Sequence, residues 1–180
     1  KVLVFNGCYH GTVDDTMVEL SNGKTRTRPG LTGQVADLAQ VAACAEFNEL
    51  ASVEAALQTG EIAAILTEPV MTNSCMVLPE PGFHEGLRAL ATRHGALLII
   101  DETHTISSGL GGYTAVHGLD PDIFVVGKCV AGGMPTAVWG LRPKLASEYL
   151  AYNAGRPSGH SGMGTTLSAN PMQFACLTAT

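Results

Sequence analysis

Charge is scarce in this 180-residue chain. Only 14% of its residues are charged, ten basic against sixteen acidic, for a net charge of −6. No cluster of Lys and Arg occurs along it. That argues against nucleic acid and anionic membrane as partners, since both are held mainly by concentrated positive charge. A small anionic ligand stays open, because backbone amides bind anions without a basic surface. Long apolar runs are also missing. The longest, Ala96 to Ile100, is far too short to span a bilayer, and no signal peptide is visible. Paired cysteines are missing too. The five cysteines (8, 44, 75, 129, 176) are scattered and odd in number, without C-x-x-C. They read as small buried hydrophobes in a reducing, cytoplasmic compartment. No His or Cys pair has ligand spacing, so no metal site is expected.

What is present is apolar material and glycine. At 46% hydrophobic the chain has enough for a core, and its 21 glycines point to tight turns and close backbone approaches. Length predicts one domain over 1–180. The chain starts at Lys1 rather than Met and ends within a helical pattern, and is read as a fragment.

Val2–Phe5 reads as a buried strand followed by a Gly7/Gly11 turn, and Thr12–Gln40 as an irregular loop or small hairpin. Ser52–Gln58 is a short amphipathic helix and Ile62–Leu66 a strand ending at Glu68-Pro69. Pro81-Gly82 opens a second helix that Gly95 closes. Leu97–Ile100 and Ile123–Val126 are apolar strands ending at Asp101 and Gly127-Lys128, and Thr136–Trp139 is a candidate third. Lys144–Tyr152 is helical, Asn153–Ser168 a Gly/Ser-rich loop, and Asn170-Pro171 starts a last helix. Strands alternating with helices predict an α/β fold, a mostly parallel sheet with helices on both faces. Ligands of such sheets bind outside the carboxyl ends of the strands. Here those ends carry Glu68, Asp101 and Lys128.

Asp101 follows Ala-Leu-Leu-Ile-Ile, so its carboxylate emerges from a buried strand and needs a partner. A helix cap or a salt bridge would serve. Lys128, 27 residues later, also follows an apolar strand and precedes Cys129-Val130-Ala131-Gly132-Gly133. It is either an exposed loop lysine or a desolvated, nucleophilic amine in a space cleared by the glycines. Together the two are more specific than apart. Pyridoxal-5′-phosphate (PLP) chemistry requires a lysine for the Schiff base and a carboxylate on the pyridine nitrogen.

Six segments occur in order: Asn6 to Gly11 (NGCYHG), Glu68-Pro69-Val70, Leu97 to Thr105 (LLIIDETHT), Pro121-Asp122, Val126 to Gly133 (VGKCVAGG) and Thr166 to Pro171 (TLSANP). In this combination the chain resembles the class III aminotransferases, in the branch of glutamate-1-semialdehyde aminomutase. The resemblance implies the large domain of a fold-type-I PLP enzyme, a homodimer, and small amino and keto substrates. It implies that Lys128 forms the Schiff base and shuttles a proton, that Asp101 binds the pyridinium, and that Tyr9 stacks on the ring. It places Asn73 near the cofactor's 3′-oxygen, Thr103 and His104 beside the ring, Glu68 on the substrate side, and Thr166 on the phosphate across the dimer interface. From residue type alone, Tyr9 also suits ordinary core packing and Thr166 a turn or cap.

The segment Asp-Glu-Thr103-His104 departs from the family's usual pattern. His104 either hydrogen-bonds or tunes the cofactor, or is a buried, hydrogen-bonded histidine. Ile106-Ser107-Ser108 and Thr165-Thr166 depart as well, and the Glu-Thr-His-Thr-Ile-Ser-Ser-Gly run looks more like transaminases of β-amino acids. The family's upstream Ser-Gly-Thr phosphate loop and its small domain have no counterpart in these 180 residues. The expected activity is amino-group transfer; the alternatives are the aminomutase reaction and a truncated, non-catalytic chain. A phosphate-binding P-loop is excluded by Asp122 and Cys129 around Gly127-Lys128, and Gly109-Leu110-Gly111-Gly112 has no strand leading into it.

Overall fold

The computed structural model describes residues 1–157, 159, 164, 168 and 170–180. Its main sheet is built from β1 (Val2–Phe5), β4 (Ala42–Ala45), β5 (Ala64–Thr67), β6 (Leu97–Asp101), β7 (Ile123–Val126) and β8 (Val138–Leu141). The order is β4-β1-β5-β6-β7-β8. Every pairing is parallel except β7 with β8. β1 is the pivot: the chain leaves it toward β4 on one side and returns through β5 on the other. A separate antiparallel hairpin joins β2 (Val18–Ser21) to β3 (Lys24–Thr27). Its turn is Asn22-Gly23, with φ of 52° and 71°, the left-handed pair that matches strand twist.

Leu3, Val4 and Phe5 are all fully buried. Consecutive strand residues face opposite ways, so both faces of β1 are covered. Phe5 meets Phe47 and Phe83 edge-on, with ring centroids 5.5 and 5.8 Å away. This ties β1 to the turn after β4 and to the start of α2 (Phe83–His94). α2 in turn packs against α1 (Leu50–Leu57). Gly82 and Gly95 cap α2 at φ of 85° and 68°, as its flanking glycines predict. Burial falls away across the sheet, and in β8 Val138, Trp139 and Gly140 are exposed.

Several expectations shift. β4 was not expected from Ala42-Ala43-Cys44-Ala45, which holds none of the β-branched or aromatic residues that mark strands. The candidate strand Thr136–Trp139 lies two residues later and runs antiparallel, since Pro135 and the glycines before it allow a tight reversal. α3 (Gly112–His117) follows a glycine-rich segment that hides a helix of six residues. α4 (Pro143–Ala154) and α5 (Pro171–Ala179) match expectation, α5 capped by Asn170 Oδ1 accepting from the Met172 and Gln173 amides. The cysteines are all free, but only Cys8 and Cys44 are buried; Cys75 and Cys129 are exposed.

Two carboxylates hold the frame under β6. Asp122, before β7, accepts from Arg88 Nη1 at 2.7 Å and the Leu98 amide at 2.8 Å. Burial alone would raise its pKa, but those bonds hold it below the usual carboxylate value. Glu102, fully buried just past β6, accepts from the Tyr113 amide at 2.9 Å, the Thr105 hydroxyl at 3.0 Å and the Thr114 amide at 2.5 Å. It thus satisfies the start of α3. Gly112 is required beside it: φ is 74°, and a Cβ there would lie 2.6 Å from Glu102 Oε2.

Glu102→Ala should strand one buried and two part-buried donors, each worth up to about 1–3 kcal/mol when unsatisfied. We expect a loss of about 3 kcal/mol or more in the denaturant unfolding of the full-length protein. Glu102→Gln should lose less. An alanine variant with an unmoved midpoint would show that α3 does not depend on this carboxylate.

Candidate active site

The carboxyl ends of β1, β5, β6 and β7 open on one cleft of about 440 Å³. Tyr9, His10 and Gly11 line it after β1, Glu68 after β5, Asp101, Thr103 and His104 at the end of β6, and Gly127 and Lys128 after β7. Six sequence-predicted residues (Tyr9, Glu68, Asp101, Thr103, His104, Lys128) therefore converge. Asn73 does not: it is exposed on the turn past β5 and is absent from the cleft lining, and it is the neighbouring Thr72 that bonds to Glu68 and His104. Thr166 lies outside the described residues.

The loop carrying Tyr9 and His10 is held from both sides. Arg28, beyond the hairpin, donates from Nη2 to the Cys8 carbonyl at 2.6 Å and from Nε to the Val18 carbonyl at 3.0 Å. The Ser74 hydroxyl donates to the Gly7 carbonyl at 2.8 Å. Gly7 has φ of 83°, and a Cβ on it would meet Ser74 Oγ at 2.6 Å. Only glycine fits this turn without strain. Tyr9 remains 41% exposed, a face free to stack.

His10 is the residue that sequence reading passed over. Its Nδ1 lies 2.8 Å from Asp101 Oδ2, with the ring side chain only 3% exposed. Asp101 Oδ1 accepts from the Thr103 amide at 3.0 Å. Burial would lower the pKa of His10, but the bond to Asp101 and the adjacent Cys8 more than offset it and raise it to about 9. Burial would raise that of Asp101, but His10 and Thr103 hold it below the ordinary value. The contact thus favours the protonated ring and the ionised carboxylate over the neutral forms. Asp101 is a salt-bridge partner, one of the two roles open to it, and also faces the cleft. The signal for His10 was available in Tyr9-His10-Gly11, but its partner lies 91 residues away and no spacing reveals it.

Of the two settings open to Lys128, the structure shows the exposed one, in a cleft beside the exposed strand β8. The φ of Lys128 is 54°, in the left-handed region that non-glycine residues avoid. Backbone strain of this kind clusters at ligand sites.

The residues present suit PLP in their chemistry. An amine, a carboxylate fixed as an anion and an aromatic face border one cleft, which is the donor set for an aldehyde, a pyridinium nitrogen and a planar ring. Among the described residues, no group of three or more His, Cys, Asp or Glu is placed to hold a metal ion, and no helix is long and apolar enough to cross a membrane.

A mostly parallel sheet carries an amine and a paired carboxylate at adjacent strand ends, and comparison with known proteins gives the family. The family model for aminotransferase class-III matches residues 1–180. The chain belongs to the class III aminotransferases. It is 43% identical over its whole length to a glutamate-1-semialdehyde 2,1-aminomutase of Roseiflexus castenholzii, and spans 41% of that protein's length. Among solved structures, it matches a glutamate-1-semialdehyde-aminomutase from Pseudomonas aeruginosa PAO1 at 48% identity and a TM-score of 0.92, over 99% of this chain and 40% of that one. An omega-transaminase from Sphaerobacter thermophilus matches at 30% identity and 0.84, over 99% of this chain and 42% of that one. A lysine-to-alanine variant of the Pseudomonas protein, 47% identical to this chain, was solved in complex with PMP.

The His10–Asp101 pair carries a pH dependence. His10 has a folded pKa above its unfolded value of ~6.5, so its contribution to stability is complete below that value and is lost as pH rises through about 9. The melting temperature of the wild type should fall between these limits relative to a His10→Gln variant. Parallel curves for the two proteins would show that the pair is not ionised.

Proposed function

We propose that the protein containing this chain is a PLP-dependent aminotransferase that moves an amino group from an amino donor to a keto or aldehyde acceptor. The observation that carries this reading is the shared cleft: Lys128 and an Asp101 already held as a carboxylate by His10 and Thr103. When bound, PLP supplies an electron sink for the substrate's α-carbon. The chain's own residues do the rest. Lys128 holds the cofactor and, once released, its amine moves a proton. Asp101 keeps a proton on the pyridine nitrogen, and the His10 cation behind it keeps Asp101 ionised. Tyr9 covers one ring face, Thr103 and His104 lie on the β6 side, and Glu68 lies on the substrate side behind them. Asn73 belongs to this reading only through the family resemblance, as a residue near the 3′-oxygen.

The reading extends to the parts beyond the cleft. Residues 1–180 form one incomplete cofactor-binding domain, completed by an upstream phosphate segment and a small domain in the whole protein. The protein is a cytoplasmic homodimer in which Thr166 reaches the phosphate in the neighbouring subunit. The TLSANP segment and the free cysteines support these two points.

A second reading is the glutamate-1-semialdehyde 2,1-aminomutase reaction, in which the amino group returns to the same carbon skeleton. The 43% and 48% identities to proteins of that name favour it. Supplying full-length protein with a 15N-labelled amino donor and an unlabelled keto acceptor separates the two: transfer of label to the acceptor supports the transferase, and isomerisation of glutamate 1-semialdehyde without transfer supports the mutase.

Borohydride reduction of the full-length holoprotein should fix the cofactor on Lys128, read by peptide mass, and Lys128→Ala should leave no peptide so labelled. Label on another lysine would overturn the assignment. Asp101→Asn should slow turnover at least ~100-fold, about 2.7 kcal/mol of barrier. Turnover close to wild type would remove Asp101 from its role.

A further inference from the structure

One wall of the cleft carries a chain of hydrogen bonds that the mechanism above leaves unused. Glu68 is 4% exposed. Its Oε1 accepts from the Tyr9 amide at 3.3 Å, and its Oε2 from the Thr72 amide at 3.3 Å. The Thr72 hydroxyl stands 2.7 Å from the same Oε2. A carboxylate only accepts, so Thr72 donates its single hydroxyl proton to Glu68. That hydroxyl is also bonded to His104 Nδ1. With its proton committed, Oγ1 can only accept there, so Nδ1 must carry the hydrogen. Glu68 Oε2 is 3.9 Å from Nδ1, beyond direct hydrogen bonding, so the hydroxyl bridges the two.

A neutral imidazole has one N–H and one lone pair. With the hydrogen on Nδ1, Nε2 is the acceptor, and no described residue bonds to it. The His104 side chain is 32% exposed and lines the cleft with Lys128, Asp101, His10 and Tyr9. Of the two readings open for His104, a satisfied buried histidine does not describe it. One nitrogen is tied back to a buried acid and the other is left for a ligand.

We propose that Glu68, Thr72 and His104 form a proton relay that deprotonates the ammonium group of an incoming amine substrate. An amine enters the cleft at neutral pH as R–NH₃⁺ and must lose a proton before its nitrogen has a lone pair to attack with. His104 Nε2 takes that proton, Nδ1 passes its own to Thr72 Oγ1, and the Thr72 hydroxyl proton goes to Glu68 Oε2. The products are R–NH₂, a neutral His104 with hydrogen on Nε2, and a protonated Glu68; return of the proton to solvent or product resets the chain. His104 is the group that touches substrate, and Thr72 and Glu68 act through it. The proposal rests on the cleft being the amine site argued above.

The test uses full-length protein labelled with 15N-histidine, first without cofactor or substrate. Nitrogen shifts of the His104 ring, assigned by their loss in His104→Gln, are read at a pH where the ring is neutral. Wild type and Thr72→Ser should show the Nδ1–H tautomer, and Thr72→Val the Nε2–H tautomer. This readout is independent of PLP, so it stands or falls separately from the Lys128 assignment. The second arm is the pH profile of kcat/KM for the amino donor in holoprotein. Thr72→Val should lower it at neutral pH by at least ~10-fold, below the usual range for lost acid–base catalysis, and recover toward wild type at alkaline pH, where the amine arrives deprotonated. Thr72→Ser should follow wild type. The relay is overturned by an Nε2–H tautomer in the wild type, by a Thr72→Val loss equal at every pH, or by Thr72→Ser behaving like Thr72→Val.

Discussion

The strand-order reversal at β1 organises everything that follows. Because the chain leaves β1 toward β4 on one side and leaves β5 toward β6 on the other, the loops at the carboxyl ends of β1 and β5 diverge and leave a crevice. Parallel pairing then brings the ends of β5, β6 and β7 to the same edge. Residues 10, 68, 101 and 128 meet for this reason, although nothing local in the chain relates them. Register completes the placement. Asp101 stands opposite Val125, three residues before Lys128. A slip of one residue in β6 would turn the aspartate to the other face of the sheet and leave His10 with no counter-charge.

The legible parts of the fold were those in which local pattern and tertiary role agree. The β6 and β7 runs are apolar throughout and punctuated by a charged residue, so both strand and exit point could be read. The helix ended by Gly95 could be read from its cap. Ala42–Ala45 became a strand because β1 offers it a partner, a reason that lies outside its own residues. The site divides in the same way. Asp101 and Lys128 stand out by position, whereas His10 and Thr72 acquire meaning only from partners 91 and 32 residues away. The exposure of Lys128 stayed one of two readings for a further reason: a strand end cannot be read as open or covered unless the neighbouring edge is known.

Two histidines on the same cleft are set to opposite tasks by the acids behind them. His10 is in direct contact with Asp101, and that contact outweighs the burial that opposes charge on both: a cation behind, an anion in front. His104 meets Glu68 only through a hydroxyl, which orders the ring's hydrogen without committing the ring to a charge. The difference between contact and a one-atom bridge is enough to turn the same side chain from a fixed counter-ion into an exchangeable base.

The left-handed backbone at Lys128 gives this position a direction of drift. A side chain there opposes folding by about 1–3 kcal/mol, which glycine would not do and asparagine would do less. Stability and chemistry therefore pull apart at one residue. In a lineage that no longer needed the amine, selection for folding alone would replace the lysine before it disturbed the surrounding strands, leaving a sound sheet around an inert cleft.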